Sequence, residues 1–391
     1  MKEKLFGFWD YEGAELRRKF LGFSLVRKAS VHTLLAFGIP LMQRKRHVTK
    51  DIYETGGGGN IIDYSFRFCG ILCYTQSKYK KLASYPSLRA NYLLLPTLLK
   101  EPNILPKLAT LTRGMPQESV DLAYTLISRE LQASQNPAQR YYALTSHELQ
   151  ALERLAHEFD AKILPLSPDL YYYNGYFLPV EHFESSVFFY EHGLDTLRDL
   201  SKIREKDIID VGGFIGDSAL VFQRYTDKSI HCFEASPTNY QKLLKTIELN
   251  QATRIIPVNN GLGAREEKLM INLCSSGSSL IFSHYSFGSE EAHIITLDSY
   301  VQQHGVEVGF IKVDIEGFEM EFIKGAKHTI CTQKPTMLIS IYHQASDFFD
   351  IKPLIESWNL GYEFHLHKPI DDRISLETVL FCEIPPKHRN T

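Results

Sequence analysis

The stretch Asp207-Ile-Ile-Asp-Val-Gly-Gly-Phe-Ile-Gly-Asp-Ser218, read together with Ile230-His-Cys-Phe-Glu234, decides the fold of this chain. Ile208, Ile209 and Val211 surround Asp210 in an apolar run of the length of a buried strand. Gly212, Gly213 and Gly216 then let the backbone turn tightly under a ligand, and Ser218, Ala219, Val221 and Phe222 sit on the helix that follows. The second apolar run ends at Glu234, about twenty residues past the turn, where an acid can hydrogen-bond a ribose diol. Strand, glycine turn, helix, strand and terminal acid together form a cofactor cradle.

A nicotinamide dinucleotide would require G-x-G-x-x-G, with its pyrophosphate on the helix N-terminus. Counting back from Gly213 and Gly216, the first glycine of that motif falls on Val211. Asp210 precedes the glycines and Asp217 follows them. Carboxylates there repel a pyrophosphate but suit the ammonium and sulfonium of S-adenosylmethionine, which carries no phosphate. A glycine-rich helix turn without a ligand is the plainer alternative.

Downstream, apolar runs and amphipathic stretches alternate, which predicts a mostly parallel sheet covered on both faces. Helices are expected over 239–250, opened by Ser236-Pro237, and over 297–303 and 319–332. Strands are expected over 255–258, 310–313, 336–341, 362–366 and 378–382, with an inserted strand over 268–274 and the loop Asn259-Asn-Gly-Leu-Gly263. Only a short polar turn, 369–373, separates the last two strands, so they should be antiparallel.

From about Phe188 to the end the chain resembles FkbM-type S-adenosylmethionine-dependent methyltransferases. The matching stretches are the glycine motif itself, Phe233-Glu-Ala-Ser-Pro237, Asn260-Gly-Leu-Gly263, Thr296-Leu-Asp-Ser-Tyr300 and Phe310-Ile-Lys-Val-Asp-Ile-Glu-Gly-Phe-Glu319. The last, continuing into Phe322-Ile-Lys-Gly-Ala326, is the most specific to the group. The resemblance covers roughly half the chain. It implies an α/β class I methyltransferase fold, Rossmann-like, with a seven-stranded sheet and an antiparallel last strand. It also implies that Asp210, Gly212, Gly213, Gly216, Asp217, Ser218, Glu234, Ala235, Ser236, Asn260 and Gly261 bind the cofactor.

At 391 residues the chain is long for one domain. Residues 1–55 read as a basic segment, 56–185 as a mostly helical auxiliary domain and 186–391 as the methyltransferase domain. Within the middle part, 93–99, 104–111, 120–131 and 146–159 carry helical spacing, and Gly56-Gly-Gly-Gly59 reads as a connector or tight turn. Aromatic residues from Tyr171 to Tyr190 crowd the approach to the third part, as interdomain packing or as a sugar-stacking wall. The net charge of -3 gives no general attraction to nucleic acid. The six cysteines lack zinc-site spacing and read as free thiols of a reducing cytosol.

In the first fifty residues Leu21-Gly-Phe-Ser-Leu-Val26 and Leu35-Ala-Phe-Gly-Ile-Pro-Leu41 alternate with basic clusters and are too short to span a bilayer. They resemble short segments of bacterial surface-glycan biosynthesis proteins. A hairpin with solvated basic edges is one reading, and peripheral attachment to an anionic inner membrane is the other.

Methyl transfer from a sulfonium needs a positioned nucleophile, and a sugar hydroxyl needs a base or a metal to lower its pKa. Lys312, Asp314 and Glu316 alternate at the carboxyl end of the fourth strand, the edge where open α/β sheets bind ligands. The fifth ends at Ser340-Ile-Tyr-His343, so Asp314 and His343 are expected to converge, with Glu316 as a further catalytic candidate. Capping of the following helix is the structural alternative for Glu316 and Glu319. Oxygen ligands with one imidazole suit magnesium or manganese, with Asp314 and His343 as candidate ligands. The activity that the resemblance implies is O-methylation of a sugar in a bacterial surface polysaccharide or glycolipid, in the cytoplasm or at the inner face of the membrane. A small secondary metabolite as acceptor, and a catalytically silent binding protein of the same fold, are the alternatives.

Overall fold

The computed structural model describes residues 88–135, 144–274 and 288–385, together with strand backbones between 9 and 81 and at 277–279. It falls into two compact units, 1–85 and 86–391. The first is a meander of seven strands, Trp9–Glu12, Glu15–Phe20, Phe23–Lys28, Val31–Ala36, Ile39–Asp51, Gly59–Phe68 and Ile71–Lys81, each antiparallel to the next. The expectation of helix from residue 56 onward therefore fails over the last two strands. Tyr64, Phe66 and Phe68 alternate with Asp63, Ser65 and Arg67, a period of two that no helix presents on one face. Gly56, Gly57 and Gly58 lie outside the described residues.

The second unit is built on a sheet that we number β1 (Asp207–Val211), β2 (Ile230–Phe233), β3 (Ile255–Val258), β4 (Val308–Val313), β5 (Thr336–Ser340), β6 (Glu363–His367) and β7 (Val379–Glu383). Its order is β3-β2-β1-β4-β5-β7-β6, with β7 antiparallel to both neighbours and the remaining pairs parallel. This is the class I methyltransferase arrangement, and the order reverses at the β1/β4 boundary, where a cleft opens.

Neighbouring residues on each strand feed opposite cores, as a sheet covered on both faces requires. Ile209, Ile311, Met337 and Ile339 pack on one side, against Phe322, Ile330, Phe348 and Ile355. Ile208, Phe310 and Leu338 pack on the other, against Ala219, Phe222, Leu243, Phe159 and Phe188. Tyr173, Tyr176, Phe183, Phe188, Phe189 and Tyr190 belong to this second core: Phe159 meets Tyr173 edge-on at 4.8 Å, and Phe183 meets Phe188 at the same distance. None of the aromatic residues from Tyr171 to Tyr190 lines the cleft. Cys232 and Cys382 are buried free thiols. Cys331 is free and half-buried.

The helices over 94–159 form as expected, at Leu94–Leu98, Ile104–Thr112, Gln117–Gln135 and Ser146–Arg154, the last opened by a Thr145 capping box with Glu148. They do not make a separate domain. Leu94, Leu98, Leu108, Leu111, Leu126 and Ile127 share the first core with the sheet. Their polar residues complete the sheet's own backbone: Ser119 accepts from the amide of Leu366 on edge strand β6 at 2.9 Å, and Asn91 donates to the carbonyl of Tyr342, just past β5, at 2.8 Å. A stripe of apolar residues on short helices has no other surface on which to bury itself, which is why the expected boundary at 185/186 dissolves. Among the described residues no helix is long and apolar enough to cross a membrane.

Glu130 is the joint of this docking. Fully buried, it accepts from the amide of Asn91 at 3.0 Å and the hydroxyl of Ser375 at 2.8 Å. Burial pushes its pKa up to about 7, against the pull of those two donors and of Lys368. A carboxyl whose folded pKa exceeds its unfolded value stabilises fully below the unfolded value, and that contribution is lost as pH rises through the folded one. Thermal denaturation at pH 5.5 and 8.5 should therefore show the wild type losing more stability across this interval than Glu130→Gln. Parallel losses would contradict the assignment.

Candidate active site

The cleft is set by the turn after β1. Gly212 has φ +79°, and a Cβ there would stand 1.8 Å from the carbonyl oxygen of Asp314. Only glycine lets β1 and β4 approach so closely. Phe214 also takes a positive φ of 46°, and its amide donates to Glu234 Oε2 at 2.8 Å. Glu234 Oε1 accepts from the amide of Ser236 at 2.8 Å. The acid at the end of β2 thus braces the glycine turn and, with its remaining lone pairs, faces the cleft.

Behind the turn, Asp210 and Lys312 are register partners on β1 and β4 and lie 3.2 Å apart, both buried. Lys312 also donates to the carbonyl of Gly212 at 2.8 Å. Burial lowers the lysine's pKa, but Asp210, Asp314 and Asp217 outweigh it and the ammonium is held charged.

Of the residues expected to hold the cofactor, Gly212, Asp217, Ser218, Glu234, Ala235, Asn260 and Gly261 line the cleft. Asp210, Gly213, Gly216 and Ser236 do not. Asp210 is paired beneath it. Gly213 donates to the Phe233 carbonyl at 2.7 Å, and Gly216 holds the left-handed N-cap of the following helix. Ser236 caps the helix Pro237–Asn250 by accepting from the amide of Asn239. Sequence reasoning missed Tyr92, Glu184, His192, Phe214 and Glu377. Glu184 and Tyr92 come from segments far from the motif, and only the fold brings them in. Glu377 has φ 63° in the turn before β7, a strained position for a side chain with a Cβ.

Six carboxylates face this cleft: Glu184, Asp217, Glu234, Asp314, Glu316 and Glu377. Lys312 is the one lysine among the described lining residues, and Asp210 engages it. Burial raises five of them, whereas at Glu184 the neighbouring His182 outweighs burial and holds the carboxyl below its ordinary range. Burial pushes Asp217, with help from Glu184, up to about 7, and does the same to Glu234 and Glu316. Such a wall is complementary to a cation. His182 Nε2 lies 3.0 Å from Glu184 Oε1, and the two approach Asp217 beside the glycine turn.

At the other end, β4 and β5 bring the expected catalytic residues together. His343 Nε2 lies 3.4 Å from Asp314 Oδ1 and 3.7 Å from Glu316 Oε2, while Nδ1 lies 2.9 Å from Glu319 Oε1. Tyr342 donates to Asp314 at 3.1 Å. Asp314 and Glu316 open on the cleft, whereas His343 is fully buried behind them. Glu316 has φ 57°, so the chain turns sharply after β4 and aims that carboxylate back at the site. Burial would lower the imidazole's pKa, but Glu319, Glu316 and Asp314 together push it up to about 10. Glu319 is also a helix residue whose Oε1 accepts from the amide of Ile315 at 2.9 Å, so its role is structural as well as electrostatic.

Residues 210–364 match the family described as "Methyltransferase FkbM domain". The segment carries an FkbM methyltransferase domain. Residues 210–364 thus form an S-adenosylmethionine-dependent methyltransferase domain. It is 26% identical over 175 residues to the hexuronic acid methyltransferase AglP of Haloferax volcanii, covering 43% of this chain and 70% of that protein. It is 22% identical over 217 residues to Methyltransferase 1 of Beauveria bassiana, covering 49% and 84%. The solved structure of Methyltransferase FkbM from Methylobacillus flagellatus KT aligns at a TM-score of 0.39 and 22% identity, over 67% of this chain and 61% of that one. The match to that structure spans less than two thirds of its length.

The FkbM domain begins at the buried Asp210 and so includes the glycine turn, Glu234, Asp314, Glu316 and His343. Glu184, Tyr92 and Glu377 enter the cleft from outside it. Two outcomes follow for the cofactor. Glu234→Ala should weaken S-adenosylmethionine by roughly 1.5 to 3 kcal/mol, the scale of a hydrogen bond to a charged group, while the protein stays folded. Calorimetric titration checks this, and wild-type affinity would remove Glu234 from the site. Gly212→Ala should abolish binding and lower the melting temperature, because the new Cβ meets the Asp314 backbone; a fully stable, binding-competent variant would show that the turn is looser than described.

Proposed function

We propose that this enzyme transfers the methyl group of S-adenosylmethionine to a sugar hydroxyl of a bacterial surface polysaccharide or glycolipid. The observation that carries the reading is the pair of carboxylates, Asp314 and Glu316, opening on the cleft at the carboxyl end of β4, across the β1 turn from Glu234. A methyl acceptor there lies between the cofactor cradle and groups able to take its proton. The S–CH3 bond breaks as the O–CH3 bond forms, the thioether leaves neutral as S-adenosylhomocysteine, and the hydroxyl proton passes to Asp314. The weak similarity to a protein named as a hexuronic acid methyltransferase supports a sugar acceptor.

Tyr92 supports it too. It lines the cleft and is 53% exposed, an arrangement that offers an aromatic face to the C–H surface of a sugar ring. Under this reading the enzyme acts in the cytoplasm, and its basic N-terminal strands favour an anionic inner membrane where glycolipid acceptors are assembled.

Asp314→Asn should lower turnover by about 100-fold or more with little change in S-adenosylmethionine affinity, as removal of a transition-state proton acceptor does. Tyr92→Ala should raise KM for the acceptor while kcat holds. The substrate class itself is tested by comparing the mass of surface glycans from cells with and without the gene. One missing methyl on a sugar is expected, and an unchanged glycan would overturn the proposal.

A further inference from the structure

The acceptor end of the cleft contains a feature that proton transfer alone leaves unexplained. His343 is fully buried and both ring nitrogens are crowded by carboxylates, yet Nε2 makes no aligned hydrogen bond among the described residues. Nε2 points into the space between Asp314 Oδ1 at 3.4 Å and Glu316 Oε2 at 3.7 Å. Those separations are too long for good hydrogen bonds. They are close to the spacing of adjacent ligands around one ion, which for metal–ligand bonds of about 2.1 Å in octahedral geometry is about 3 Å.

The back of the ring fits the same description. Nδ1 stands 2.9 Å from Glu319 Oε1, and Glu319 is itself fixed by the amide of Ile315. A ligating imidazole commonly presents its other nitrogen to a carboxylate in this way, which fixes the tautomer and ring plane. Asp314 is fixed in turn by the hydroxyl of Tyr342. The left-handed backbone at Glu316 returns that carboxylate toward Nε2.

We propose that Asp314, Glu316 and Nε2 of His343 form a divalent-cation site at the acceptor end of the cleft, taken by manganese or magnesium, with Glu319 and Tyr342 as positioning residues. Two carboxylate oxygens and one nitrogen leave up to three positions for water or for the acceptor's hydroxyls, as hard cations retain. An ion there polarises the coordinated hydroxyl and lowers its pKa, and the second oxygen of Asp314 takes the proton. A polyol presenting neighbouring hydroxyls is the acceptor chemistry such a site recognises. In the other nearby cluster, His182, Glu184 and Asp217, Nε2 of His182 is already hydrogen-bonded to Glu184 at 3.0 Å.

The inference rests on the methyltransferase reading only for what the ion does. Its binding is measured without acceptor, on the full chain stripped with chelator and titrated with Mn(II), followed by calorimetry and by the loss of free-ion paramagnetic resonance signal. One ion per chain is expected. His343→Gln and Glu316→Gln should each weaken it by at least tenfold, Glu319→Gln should weaken it about 10- to 100-fold by loosening the ring, and His182→Gln should leave it unchanged. S-adenosylmethionine titration of each variant reports whether the cleft is intact. Full methyl transfer by stripped enzyme, no bound Mn(II) in the wild type, or loss of the ion in His182→Gln but not in His343→Gln would each overturn the site. Methyl transfer persisting without metal would leave the proposed function standing, whereas an unmethylated acceptor with metal bound would count against that function alone.

Discussion

The buried pair of Asp210 and Lys312 is the interaction on which the rest of the catalytic unit depends. Two charges removed from water on adjacent strands are costly unless they meet each other and other polar groups. Here the ammonium meets Asp210 and the Gly212 carbonyl together, so the cation that neutralises β1 also fixes the start of its turn. The same lysine is the counter-charge to a cleft lined with carboxylates, and it is spent on one that lies beneath the cleft rather than in it. The cleft's own carboxylates are therefore left without a lysine of their own, which suits a cationic cofactor.

The sheet topology gives this pair its setting. β1 and β4 are neighbours because the strand order reverses there, and the reversal opens the space that their turns border. Glycine at 212 lets the two strands approach to a distance at which a Cβ would strike backbone. Positive φ recurs at residues that face the cleft, with Phe214, Glu316 and Glu377 among them. Such positions persist only where surrounding structure dictates them, and each one aims a chain segment at the site.

Much of this was legible in the sequence. Local patterns mark each strand of the sheet to within two residues at either end, because strands buried on both faces read as unbroken apolar runs. The convergence of Asp314 with His343 followed from adjacent strand ends. Roles within the cradle were less legible. Asp210 and Ser236 sit in the right motif, but a buried partner and a helix cap, respectively, occupy them, and side-chain direction is not written in spacing. Tyr92, Glu184 and Glu377 were invisible because the contacts that bring them to the cleft link segments far apart in the chain. The docking of the helices over 94–135 was missed for the same reason: their spacing shows an apolar face, and nothing local says that the sheet covers it. The strands at 59–81 carry a period of two of their own, distinct from the helical spacing of the segments that follow.

We propose that the β1 turn, braced by Glu234 and tied to Lys312, is the seat of S-adenosylmethionine. Hydrogen exchange at the amides of 212–218 and 234–236, measured on the full chain with and without the cofactor, tests it most directly. Marked slowing in both segments is expected on adding S-adenosylmethionine, and none on adding a nicotinamide dinucleotide. Unchanged exchange there, with slowing elsewhere in the chain, would contradict it.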